Sequence, residues 1–173
     1  MERMFAGWRM AYVKRARKTR GCLFCRLVKP GDDRARGIVA RRPRAYLVLN
    51  SFPYNSGHLM VAMNRHVGTL GGLDAGERAD LWELAAVGES LLGAVYQPQG
   101  LNLGINLGSA AGAGVDGHLH VHLVPRWSGD TNFMVTVGET KVLPEALDDT
   151  YRRLTEALKK NRRQPRAARA RPR

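Results

Sequence analysis

His118-Leu119-His120-Val121-His122-Leu123-Val124-Pro125-Arg126 alternates strictly between imidazole and aliphatic side chains. In a strand, residues two apart share a face, with about 6.7 Å between successive Cα atoms of that face at ~3.3 Å per residue. The stretch therefore predicts a strand with His118, His120 and His122 on one side and Leu119, Val121 and Leu123 turned toward a core. One histidine in such a place is ordinarily a satisfied core or surface residue. Three in register gain nothing from packing, so the stretch points to chemistry. A metal site built from these histidines alone is disfavoured, because no Asp or Glu lies within the strand to complete it.

Working outward, Gly108 to Gly117 is a loop rich in glycine and alanine, whose free backbone amides suit phosphate oxygens. Before it, Leu101, Leu103, Ile105 and Leu107 alternate with Asn102, Gly104 and Asn106, which predicts a strand with one polar face. Asp74-Ala-Gly-Glu77 reads as a capping box opening a helix that runs toward Pro98, with Leu81, Leu84, Ala85, Gly88, Leu91, Leu92 and Val95 on one stripe. Ala45 to Asn50 and His58 to Met63 predict an antiparallel pair joined by the turn-rich SFPYNSG. A last helix is expected from Pro144, burying Leu147, Tyr151, Leu154 and Leu158. Strands outnumber helices and are joined locally, so the fold class is α+β with a largely antiparallel sheet.

The 173 residues suit one domain with a real core plus short appendages. With 44% hydrophobic and 25% charged residues, wholesale disorder is excluded. The formal net charge is +13, a balance that usually signals nucleic acid, an anionic membrane or another polyanion. That charge sits at the two ends. Residues 1–20 carry seven Lys/Arg against one acid, and residues 159–173 carry eight and no acid. Residues 21–158 hold 13 bases and 14 acids, a neutral body. The organisation expected is a basic segment 1–20, a globular domain 21–158 and a disordered basic tail 159–173. No apolar run reaches transmembrane length, and the start lacks the apolar region of an export signal, so a cytoplasmic protein is expected.

The alternating histidine stretch resembles the signature of the histidine triad family of nucleotide hydrolases and transferases. WRMAYV, GCLFC, LNSFPYNSGHLMV, NRHV, INLGSAAGAG, HLHVHLVPRW and GDTNFM extend the likeness over roughly residues 7–155. They are similar to one bacterial branch, the diadenosine tetraphosphate phosphorylases or ATP adenylyltransferase-like members. The resemblance implies a five-stranded sheet with one long helix and a C-terminal helix, and a homodimer acting on a small nucleotide.

It also implies roles for individual residues. His120 matches the nucleophile that attacks an α-phosphate and becomes adenylylated; a covalent intermediate divides one hard displacement into two easier ones. His122 matches a catalytic residue that contacts phosphate oxygens and helps the leaving group. Asn50, eight residues before His58, takes the ribose-contacting position, and Asn106 lies near the α-phosphate. In the loop, Gly114 offers its amide. Relatives carry Gln, Ser or Thr just before the triad, where this chain reads Gly114-Val115-Asp116-Gly117, so Ser109 is the substitute proton donor the loop supplies. His58 is expected to orient or pack under the sheet.

By itself the pair Cys22-Leu-Phe-Cys25 suits a redox motif, half a zinc site, or two free thiols. The βαβ context of a redox pair is missing. In zinc-bearing members of the family, positions matching His66 and His118 are ligands. The resemblance thus implies a structural Zn2+ held by Cys22, Cys25, His66 and His118. The function expected is cleavage of dinucleoside polyphosphates at the α-phosphate. Alternatives are hydrolysis of adenosine phosphoramidates or of 5′-adenylated nucleic acid, or a non-catalytic nucleotide- or RNA-binding module whose basic ends contact a phosphate backbone.

Overall fold

A five-stranded antiparallel sheet organises the protein, in the order β1-β2-β3-β5-β4. Its strands are β1 (Ile38–Arg41), β2 (Ala45–Leu49), β3 (Leu59–Met63), β4 (Gly100–Ile105) and β5 (His120–Arg126). Among the described residues three α-helices accompany it: α1 (Leu23–Leu27), α2 (Ala75–Tyr96) and α3 (Leu147–Arg163). This is a computed structural model that describes residues 21–131 and 143–163. The basic segment 1–20, with its WRMAYV motif, and residues 164–173 of the expected tail lie outside the described residues, as does the NFM of GDTNFM.

The sheet is covered differently on its two faces. One carries Leu47, Leu59, Val61, Val121 and Leu123, packed against Leu81, Leu84, Leu91 and Leu92 of α2 and Leu154 of α3. Burying each such leucine contributes about 2 kcal/mol. Gly88 lets the helix come down onto β5, since a Cβ there would lie 2.8 Å from Leu123 Cδ2. The opposite face carries Tyr46, Val48, Met60 and Ala62, covered by Phe24 of α1 and by Ile38.

The capping box forms as expected: Asp74 Oδ1 accepts from Glu77 N at 2.7 Å, and Asp74 N donates to Glu77 Oε2 at 3.0 Å. At the other end Gln97 adopts a left-handed φ of 47°, which stops the helix before Pro98. β2 and β3 pair from Ala45↔Met63 to Leu49↔Leu59, the antiparallel pair expected across the SFPYNSG turn.

Several boundaries differ from expectation. β5 starts at His120 rather than His118, because Leu119 N already donates to Val67 O at 2.6 Å, outside the ladder. On β4 only Leu101 and Ile105 pack against the core, whereas Leu103 stays exposed on this edge strand. Helix α3 begins at Leu147, not Pro144, and Leu147 is exposed rather than buried. The same helix runs to Arg163, five residues into the stretch expected to be disordered. β1 and α1, both short, were not anticipated. None of the described helices is long and apolar enough to cross a membrane.

Candidate active site and metal centre

The cleft site grows from the histidine-bearing face of β5, which β3 and β4 flank on either side, and the metal site from His118 just before that strand. The ladder sets Ala62 opposite His120, and Met60 and Gly104 opposite His122. His120 is nearly buried, whereas His122 reaches a cleft of about 390 Å3 along β4 and β5. Tyr54, Asn55, Asn102, Asn106 and Arg126 also line that cleft.

Hydrogen bonds define which ring nitrogens carry protons. A carbonyl only accepts, so the 2.7 Å contact of His120 Nδ1 with His118 O puts the proton on Nδ1 and leaves Nε2 with a lone pair. His58 Nδ1 receives Tyr54 N–H at 3.1 Å and Asn50 Nδ2 at 3.3 Å, so neutral His58 is protonated on Nε2. That Nε2–H donates to His122 Nδ1 at 3.0 Å. Neutral His122 therefore holds its own proton on Nε2. The His120 and His122 rings meet edge to face, with centroids 4.9 Å apart and planes at 74°.

Burial sets the charge states. His58 is pushed down to about 3 by desolvation, reinforced by repulsion from His122 and His120, so it stays neutral at ordinary pH. His120 is also held below its usual value by burial, partly opposed by its bond to His118 O. It is an uncharged imidazole, the form that can act as a nucleophile.

A second layer walls the cleft. Asp130 takes Arg126 in a two-point pair, Nε to Oδ2 at 2.6 Å and Nη2 to Oδ1 at 2.8 Å, which holds its carboxyl well below the usual range. Arg126 Nη1 reaches Asn102 Oδ1 at 2.9 Å, and Asn55 Nδ2 bonds both Pro125 O and Asp130 Oδ2 at 2.8 Å. Tyr54, Asn55 and Asp130 were not picked out from the sequence. The polar runs YNSG and SGD read equally well as turns.

The other expected site residues divide. Asn106 lines the cleft with His122. Asn50 is buried beside His58, its Oδ1 accepting Phe52 N at 2.9 Å as in an Asx turn, and it is not among the cleft-lining residues. Ser109 sits exposed on a single 3-10 turn, Ser109–Ala111, away from the cleft lining, and Gly114 is half-buried in the same loop. His58 takes an orienting place, as expected.

Cys22, Cys25, His66 and His118 converge, with one donor atom from each lying within 4.8 Å of all the others. His118 Nε2–H donates to Met63 O at 2.8 Å, which turns the Nδ1 lone pair inward. From that atom Cys22 Sγ lies at 3.3 Å, Cys25 Sγ at 3.5 Å and His66 Nδ1 at 3.3 Å. A tetrahedral zinc with its usual Zn–N and Zn–S bonds has N–N edges of about 3.4 Å and N–S edges of about 3.6 Å. The donor set fits such an ion in both chemistry and size, with buried carbonyl support for one of its imidazoles.

Comparison with known proteins agrees with this layout. The chain is 46% identical over 117 residues to an AP-4-A phosphorylase of Mycobacterium tuberculosis (strain ATCC 25618 / H37Rv), a match covering 68% of this chain and 60% of that protein. The chain thus spans about 60% of the length of that relative. A Zn-bound histidine triad family protein from Mycobacterium smegmatis shares the fold with a TM-score of 0.65 at 23% identity, over 82% of this chain and 96% of that one. A hypothetical histidine triad nucleotide-binding protein from Sulfolobus tokodaii gives the same TM-score and identity over 82% and 95%. The model of the HIT domain matches residues 34–129, from just before β1 to the residue before Asp130. With the histidine strand, the sheet order and this match in agreement, the chain belongs to the HIT domain family.

Proposed function

We propose that the protein is an enzyme cleaving dinucleoside polyphosphates, diadenosine tetraphosphate above all, at an α-phosphate. His120 Nε2 attacks the α-phosphorus and forms a phosphorus–nitrogen bond as the bond to the bridging oxygen breaks, so that ATP leaves. An acceptor then displaces the histidine and takes the adenylyl group. Inorganic phosphate as acceptor yields ADP; water yields AMP. The M. tuberculosis relative, named as an AP-4-A phosphorylase, supports phosphate.

The observation that carries this reading is the proton arrangement across the two imidazoles. Nε2 of buried, neutral His120 keeps its lone pair, while the bond from His58 to Nδ1 of His122 places the proton of a neutral His122 ring on Nε2, the side suited to donate to a phosphate oxygen. Asn106, at the cleft with His122, is assigned to the α-phosphate. Asn50 is assigned to the ribose, Gly114 to phosphate oxygens through its amide, and Ser109 to the leaving group.

Zinc is the ion assigned to Cys22, Cys25, His66 and His118. A closed four-ligand centre of this kind is structural. It ties α1 to the segment that leads into β5. Homodimerisation is assigned to the β4 edge, where Leu103 is 45% exposed beside an open row of backbone groups.

Incubation with diadenosine tetraphosphate, with and without phosphate, tests the reaction. ATP and ADP should appear in a phosphate-dependent manner. Equal AMP release in both conditions refutes phosphorolysis, and full turnover by His120→Ala refutes the nucleophile.

A further inference from the structure

Phe24 lies between Cys22 and Cys25 in sequence, and its 1% exposed ring packs into the cluster on the sheet with Tyr46, Val48, Met60 and Ala62. Its centroid stands 4.7 Å from that of His120, with planes at 40°, and 5.1 Å from that of His118, at 42°. The backbone there is pinned, because Tyr46 Oη donates to Phe24 O at 2.9 Å inside the sheet's covered face. A five-residue helix is too short to persist unaided. What holds α1 down includes this bond, the Phe24 ring, the contacts of the two cysteines with His66 and His118, and Arg36 Nη1 donating to Leu27 O at 3.3 Å.

The His120 ring is 4% exposed, and its neighbours differ in how they restrain it. Its bond to His118 O fixes one atom of the ring, and the terminal torsion of a histidine is intrinsically broad. The residue opposite it in the ladder, Ala62, offers only a methyl group. His122 closes one side edge-on. The Phe24 ring is the group that closes another.

We propose that Phe24 is a positioning residue for His120, its ring clamping the imidazole so that Nε2 faces the reacting phosphorus. The clamp is as firm as the anchoring of α1, so the metal centre and the nucleophile are mechanically linked through one aromatic side chain. This rests on the assignment of His120 as nucleophile.

The test compares Phe24→Ala, Phe24→Leu and Val48→Ala, the last in the same apolar cluster but on β2, which β3 separates from β5. Phe24→Ala should retain one zinc per chain and a KM within about threefold, while kcat falls about 10- to 100-fold, the range expected when a reacting group is misplaced by an ångström or less. Phe24→Leu, which refills the space, should return kcat to within about threefold of wild type. Val48→Ala should lower the melting temperature and leave kcat unchanged. If the alanine variant does not fold, Phe24→Val carries the same comparison, with a kcat loss at constant KM.

Nitrogen-15 spectra of the imidazoles supply a readout independent of turnover. Wild type should show His120 in one Nδ1–H tautomer, and Phe24→Ala a resonance averaged between tautomers. An unchanged kcat in Phe24→Ala, an equal kcat loss in Val48→Ala, or an unchanged spectrum in Phe24→Ala overturns the role of Phe24. Full turnover by His120→Ala instead overturns the nucleophile assignment, and with it any catalytic consequence of the clamp.

Discussion

Replacing His58 by asparagine should change how stability depends on pH. His58 is 1% exposed and held at about 3, against about 6.5 in an unfolded chain. A histidine depressed in the folded state contributes stability that is fully present above the unfolded value and is lost as the pH falls below it. Between pH 7.5 and 5.0 the unfolded chain gains nearly a full proton at this site while the folded one gains almost none. At 1.36 kcal/mol per pH unit over the 1.5 units below 6.5, the loss is about 2 kcal/mol. It does not depend on the folded value so long as that lies well under 5. Other groups titrate in the same window, so the quantity to measure is the difference between wild type and His58→Asn. Urea unfolding at pH 7.5 and 5.0 reads it directly. Wild type should lose about 2 kcal/mol more than the variant on acidification, or roughly 4–8 °C in melting temperature for a chain of this size. The variant also lacks the donor to His122 Nδ1, so its kcat should drop about 10-fold even at pH 7.5. Parallel pH dependence in the two proteins would refute both the burial argument and the neutral state of His58.

Other substitutions test neighbouring parts of the design. His120→Ala should leave no more than about one part in a thousand of wild-type turnover with diadenosine tetraphosphate, measured by chromatography of the products. Cys25→Ser should abolish stoichiometric zinc in a metal analysis and lower the melting temperature to that of chelator-treated wild type; equal metal content in the two proteins would refute the ligand assignment. Asn55→Ala breaks the bonds to Pro125 O and Asp130, which should cost about 1–3 kcal/mol of stability and raise KM as the Arg126 wall loosens. Tyr46→Phe removes the buried bond to Phe24 O and should lower the melting temperature by a few degrees, at about 1 kcal/mol.

What the amino acids disclosed in advance follows from how local each signal is. The face of β5 was readable because a period of two needs only neighbouring residues, and α2 because its capping box spans four. β1 escaped notice: Ile38–Arg41 is four residues long, and Arg41, its last residue, with Arg42 just beyond it breaks the apolar pattern. The overrun of α3 has a similar origin, since Lys159 and Lys160 look like the start of a charged tail while Leu154 and Leu158 still hold the helix to the core. At the site, Cys22 and His118 meet across 96 positions, a meeting that spacing alone does not reveal. Asn55 and Asp130 are 75 apart and are ordinary turn residues by type. The tautomers of His58, His120 and His122 depend on which carbonyl or amide each nitrogen meets, and only a three-dimensional arrangement supplies that.

The strand order carries a consequence for assembly. β5 is the last strand among the described residues yet lies between β3 and β4, which are both made before it. Until residues 120–126 arrive, the sheet is split, and β3 and β4 each face the gap with an unpaired backbone edge of the kind that recruits foreign strands. Closing it requires contacts over long stretches of chain, the slow class of folding step. The segment bearing His120 and His122 is thus also the keystone of the sheet. A chain truncated before residue 118 would be left with two open edges, prone to aggregation rather than merely inactive.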